Sequence, residues 1–145
     1  MTLDKIDLAI IEILTENAKL NNKEIAAQVG LTITPTYERI KRLEKSGVII
    51  NYTVELDKNA IGKSLQVFCQ VSLKEHNLKL LKKFENQVVE FPEVGACYHI
   101  AGDHDYALLI EVLDMSAYEK FLRQKLATIP SIANVQSSFV MSEIK

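Results

Sequence analysis

The residues of this chain that could do chemistry fall in two places. Between residues 33 and 45 stand Arg39, Lys41, Arg42 and Lys45, opposed only by Glu38 and Glu44. Cations gathered on one helix neutralise phosphate, so this stretch points to nucleic acid. Between residues 99 and 105 stand His99, Asp103, His104 and Asp105, side chains of metal-ligating type. His99 sits in a strand-like run whose alternation turns it away from the others, and Gly102-Asp103-His104-Asp105 is ordinary turn chemistry, so no metal is expected. The sequence shows no nucleophile beside a base, no phosphate-cradling glycine loop and no cysteine cluster, so neither catalysis nor a cofactor is expected.

The basic stretch needs a scaffold. Asn21 can cap a short helix, with Glu24 three residues on to reach back to it. Ile25, Ala26 and Val29 mark its buried face, and Gly30 ends it. Thr32 or Thr34 can cap a second helix with Pro35 in its first turn. Ile40 and Leu43 point inward, and Gly47 ends that helix. Helix, tight turn, helix is the helix-turn-helix layout, whose second helix enters the DNA major groove. An earlier helix over about residues 4–16, capped by Asp4 with Asp7 in its first turn, carries Ile6, Ala9, Ile10, Ile13 and Leu14 at helical spacing. The three helices share one small core. Residues 48–57 are rich in β-branched types and predict a strand, either the wing of a winged motif or the start of a linker. Residues 58–63, with Asn59 and Gly62, mark the boundary.

The second half alternates. Leu65, Val67, Cys69, Val71 and Leu73 give a strand, and Leu78, Leu81, Phe84 and Val88 a helix ending before Pro92. Val94, Ala96, Tyr98 and Ile100 alternate again, then Tyr106, Leu108, Ile110 and Val112 beyond the turn. A helix capped by Asp114 or Ser116 carries Tyr118, Phe121, Leu122 and Leu126 and stops before Pro130. Val135, Ser137, Phe139 and Met141 close the series. The class is therefore α+β: an N-terminal (winged) helix-turn-helix domain (residues 1–50), a strand and linker (51–63), and a C-terminal ferredoxin-like β-α-β-β-α-β domain (64–145). Phe68, Leu109 and Val140 make the uncovered sheet face apolar, which a second subunit would bury.

Composition fits a globular protein, 48% hydrophobic and 25% charged. No run is long enough to span a membrane and no signal peptide is expected, which implies a cytoplasmic protein. Cys69 and Cys97, each in a strand-like run, are expected as reduced core residues. The net charge of −2 is not that of a basic DNA-binding protein, but several basic helices in an oligomer would supply the charge that one lacks.

Five blocks in this order resemble the Lrp/AsnC family of transcriptional regulators: Leu3-Asp4-Lys5-Ile6-Asp7; Val29-Gly30-Leu31-Thr32-Ile33-Thr34-Pro35; the run from Arg39-Ile40-Lys41-Arg42 through Ser46-Gly47-Val48-Ile49; Cys97-Tyr98-His99-Ile100-Ala101-Gly102-Asp103-His104-Asp105-Tyr106; and Phe139-Val140-Met141-Ser142-Glu143-Ile144-Lys145. The resemblance implies a regulator that binds double-stranded DNA, forms dimers assembling further into octamers, and binds a free amino acid or related molecule through its C-terminal domain. Against that family two departures are expected, no basic N-terminal extension and no tail after the last strand. The expected DNA contacts are Thr34, Thr36, Tyr37, Glu38, Arg39, Lys41 and Arg42, the early residues at base edges and the later cations at phosphates. A phosphate role for Arg42 predicts that Arg42→Ala flattens the salt dependence of binding by about one. The expected effector site is Ala101, Gly102, Asp103, His104, Asp105 and Tyr106, with the acids pairing an α-amino group and Gln136 and Ser138 completing the pocket. The competing reading is a small-molecule sensor or enzyme of ferredoxin-like fold whose helical half binds proteins; salt-sensitive, site-selective DNA binding separates the two.

Overall fold

The computed structural model describes residues 2–144; Met1 and the final Lys145 of the last motif block lie outside them. The chain divides into two compact units, Met1–Glu55 and Leu56–Lys145. No helix among the described residues is long and apolar enough to cross a membrane.

The first unit holds α1 (Lys5–Glu16), α2 (Asn22–Val29) and α3 (Ile33–Lys45). Local side chains set each boundary. Asp4 Oδ1 accepts the Asp7 N–H at 2.8 Å while Asp7 Oδ2 accepts the Asp4 N–H at 3.1 Å, a reciprocal capping box. Asn21 and Glu24 repeat the device: Asn21 Oδ1 takes the Lys23 and Glu24 N–H groups, and Glu24 Oε2 takes the Asn21 N–H at 2.8 Å. Gly47, at φ 74°, closes α3; its N–H reaches the Glu44 carbonyl and the Val48 N–H reaches that of Leu43, each at 3.0 Å. Thr32 stands at the start of α3, but its hydroxyl caps nothing. Ile10, Ile25, Ile40 and Leu43 form the core, with Ile6, Ile13, Leu14, Val29 and Ile49 packed around it.

The strand expected over residues 48–57 does not form, and no wing follows α3 among the described residues. Ile49 packs on the helical core. Ile50 and Val54 stand 88% and 68% exposed. β-branched residues favour an extended backbone, but a strand exists only beside a hydrogen-bonding neighbour, and this segment has none among the described residues.

The second unit is one antiparallel sheet in the order β2-β3-β1-β4 with two helices. Its elements are β1 (Leu65–Leu73), α4 (Leu78–Val88), β2 (Val94–His99), β3 (Tyr106–Val112), α5 (Met115–Gln124), a single 3₁₀ turn at Leu126–Thr128, and β4 (Ile132–Phe139). Inward residues of β1 and β3 meet Phe84 and Val88 of α4 and Tyr118 and Phe121 of α5 in one core, so both helices cover the same face. Cys69 lies in that core, its sulfur 3.0 Å from the Tyr118 hydroxyl, and burial pushes its thiol pKa up. Neither cysteine is disulfide-bonded.

One strand departs from its expected alternation and another from its expected length. In β2 the register slips between Val94, opposite Ile110, and Ala96, opposite Leu109. The extra residue at Gly95 reverses the phase, so Cys97 joins Val94 against the core while Tyr98 turns outward, 59% exposed. β4 runs from Ile132 and ends at Phe139, leaving Met141 beyond the sheet. On the helix-free face Phe68 is 49% exposed beside Leu109 and Ser138.

Glu111 lies on that open face yet is buried. Lys58 and Lys63, from the turn before β1, cover it with Nζ atoms at 2.6 and 3.2 Å from its two oxygens. Gly95 makes room: a Cβ there would stand 2.8 Å from Glu111 Oε2. Residues 58–63 are thus tied into the second unit.

Candidate nucleic-acid interface and effector loop

α3 turns Ile40 and Leu43 into the core and leaves Thr34, Tyr37, Glu38, Lys41, Arg42 and Lys45 exposed. At 3.6 residues per turn, Thr34, Glu38, Lys41 and Lys45 make one stripe, with Tyr37 on its flank. Lys45, which is not among the expected contacts, lies one turn beyond Lys41, and that spacing is its signal. Thr36 belongs elsewhere. It is fully buried, and its hydroxyl donates to the Thr32 carbonyl at 2.9 Å, so it cannot face a base edge.

The two arginines turn towards α1. Arg39 Nη1 bridges Asp4 Oδ2 at 2.6 Å and Asp7 Oδ1 at 2.7 Å. Arg42 Nη2 lies 2.7 Å from both Asp7 oxygens. Asp7 is completely buried. Burial pushes its pKa up, but the Asp4 N–H, Arg39 and Arg42 outweigh it and hold the carboxyl below its ordinary range. Lys41 remains on the exposed stripe, where Nζ donates to Glu44 Oε2 at 2.8 Å and lies 5.8 Å from the centre of the Tyr37 ring. The Tyr52 hydroxyl donates to the other Glu44 oxygen at 2.9 Å. The Lys41 hydrogen bond, then that of Tyr52, lowers the Glu44 pKa.

The expected effector loop joins β2 to β3. Ala101, Gly102 and Asp103 are exposed, and Gly102 has φ 146° with open space where a Cβ would stand. His104 Nδ1 lies 3.0 Å from the Ser72 hydroxyl. Asp105 is already engaged: Oδ2 accepts the Leu73 N–H at 2.7 Å and Oδ1 meets His76 Nε2 at 2.8 Å. The Leu73 N–H, more than His76, holds its pKa below the ordinary range despite burial. Tyr106 is a core residue. Its ring packs 4.6 Å from Phe84 and 4.9 Å from His99, and its hydroxyl donates to Glu85 Oε1 at 2.9 Å. Asp105 and Tyr106 therefore shape the loop rather than present themselves to a ligand. Gln136 and Ser138 are exposed on β4, opposite Gln70 and Phe68 of the open face. That face also carries Ser72, the neighbour of His104, so the loop stands at the end of the surface to which Gln136 and Ser138 belong. No group of three or more His, Cys, Asp or Glu side chains among the described residues could hold a metal ion.

Comparison with known proteins matches both units. Residues 3–50 match a winged helix-turn-helix DNA-binding family and residues 66–145 the Lrp/AsnC ligand-binding domain. The Bkd operon transcriptional regulator of Pseudomonas aeruginosa is 37% identical, over 98% of this chain and 93% of its own. The leucine-responsive regulatory protein of Escherichia coli is 36% identical, over 99% and 87%. Among solved structures, a transcriptional regulator of Neisseria meningitidis in complex with L-Met superimposes with a TM-score of 0.95 at 35% identity, covering 99% of this chain and 93% of that one. An AsnC family regulator from Agrobacterium tumefaciens gives 0.94 at 36%, with the same coverage. These relatives are regulators of transcription, not enzymes. The chain belongs to the Lrp/AsnC family of transcriptional regulators.

Proposed function

We propose that this regulator binds double-stranded DNA through Thr34, Tyr37, Glu38, Lys41 and Lys45, with residues 1–50 as the DNA-binding domain, and that residues 64–145 bind an amino acid and assemble the oligomer. The observation that carries the first part is the orientation of α3: its back is fixed on the helical core and α1, which leaves one polar, cationic stripe free. Residues at the start of such a helix reach base edges, and later cations meet phosphates. A random duplex library enriched over the protein tests it. The expected outcome is a preferred sequence with two half-sites about one helical turn apart, whose binding weakens steeply with salt. No enrichment, or binding indifferent to salt, overturns it.

For the effector, Ala101, Gly102 and Asp103 are the exposed part of the loop, His104 is half-buried next to them, and Gln136 and Ser138 lie on the sheet face at whose end the loop stands. Asp103 is free to pair an α-amino group, and exposed N–H groups of the loop could take a carboxylate. The relative solved with L-Met makes methionine the first ligand to try. A thermal scan against each of the twenty amino acids at millimolar concentration tests the claim: a ligand at one hundred times its Kd stabilises by about 2.7 kcal/mol. A flat response across the panel removes amino acid sensing. A second copy of the chain is the proposed cover for Phe68 and Tyr98 on the open face, with dimers assembling to octamers in the cytoplasm; sedimentation velocity reads the assembly.

A further inference from the structure

We propose that Asp7 is a positioning residue for the DNA interface: it holds Arg39 and Arg42 in an internal strut that fixes the roll of α3, so Lys41 and Lys45, not the arginines, meet phosphate. The inference rests on the DNA-binding reading above. Asp7 is fully buried at the start of α1, and both arginines reach it from 32 and 35 residues away. A buried carboxylate stripped of its cations is strongly destabilising, which keeps the guanidiniums in place. Each arginine engages through one Nη atom of a planar group whose N–H directions are fixed, unlike those of an ammonium. Arg39 and Arg42 stand on the α1 side of the helix, so their attachment decides which residues of α3 face outward. Two carboxylates, Asp4 and Asp7, also balance the two guanidiniums locally. Lys45 has no carboxylate partner among the described residues, and Lys41 is held only by Glu44 in an exposed pair that a phosphate can displace.

The test compares Asp7→Asn, Arg42→Gln and Lys45→Gln in the full chain. Melting temperature is read together with affinity for the preferred and a random duplex over a range of KCl. Lys45→Gln is expected to flatten the plot of log affinity against log salt by about 0.9 with little change in Tm. Arg42→Gln should lower Tm by about 5 °C and leave the slope as in the wild type. Asp7→Asn, assayed below its own Tm, should lose about tenfold in preference for the selected duplex over the random one, a ratio that a merely structural role would not move. An Arg42→Gln chain with unchanged Tm and a slope flatter by about one overturns the strut, as does an Asp7→Asn chain that keeps its preference. Should Asp7→Asn fail to fold, Arg42→Gln decides alone. Failure of the underlying reading looks different: the wild-type chain then binds no duplex.

Discussion

Each unit of this protein buries one carboxylate against two cations, and the two arrangements differ in a way that matters. In the first unit Asp7 receives two arginines from α3, one of them 2.7 Å from both its oxygens. In the second, Glu111 receives two lysines from a surface turn, at 2.6 and 3.2 Å. Guanidinium is a rigid fork and ammonium a point charge on a flexible stem. The arginine site can therefore fix the orientation of a helix, whereas the lysine site can only hold a turn against the sheet. Burial does not separate the two sites: each acid is out of water, while Arg42 and Lys58 are 49% and 42% exposed, so the difference lies in the shape of the cation.

The largest expected effect is at Asp7. Asp7→Asn should cost about 2–3 kcal/mol in urea denaturation, short of the full penalty for a broken buried pair because Arg42 can turn to water. Gly95→Ala follows. Its new Cβ would press on the Glu111 carboxylate, and we expect a loss of about 1 kcal/mol that nearly vanishes in a Glu111→Ala background. Equal losses in both backgrounds would separate Gly95 from the lysine site. Acid comes next. The pKa values of Asp4, Asp7, Asp105 and Glu111 are all lowered by folding. Groups lowered in this way contribute stability that is present above their unfolded values and is lost as pH falls through the folded ones. Urea midpoints should therefore hold at neutral pH and fall below roughly pH 4, and Asp7→Asn should remove part of that fall. The smallest effect is expected for Lys58→Gln, under about 1 kcal/mol, since a half-exposed ammonium is screened by water.

What the sequence revealed follows from range. The Asp4 cap and the Asn21–Glu24 capping pair act over three residues, and Gly47 acts within its own turn, so all were legible. Alternation placed Val67, Cys69, Val71, Leu108 and Ile110 in the core correctly. The arginine strut spans more than thirty residues and the lysine site about fifty, and no local pattern announces either. The bulge at Gly95 was hidden because a single inserted residue leaves composition unchanged while reversing the strand face. Two misplaced site residues did carry a signal. Thr36 stands four residues before Ile40 and seven before Leu43, on the same inward stripe, and Tyr106 begins the inward series continued by Leu108 and Ile110. The failed strand over residues 48–57 shows the limit of propensity, which sets backbone shape but supplies no partner.

The account stands or falls on the exposed stripe of α3. The direct measurement is duplex affinity by fluorescence anisotropy across a salt series, for the wild-type chain and a Lys41→Ala/Lys45→Ala variant of unchanged Tm. The account predicts that the variant binds more weakly at low salt and that its slope is flatter by about two. A variant with wild-type affinity and slope would contradict it, and the phosphate contacts would have to lie on another surface.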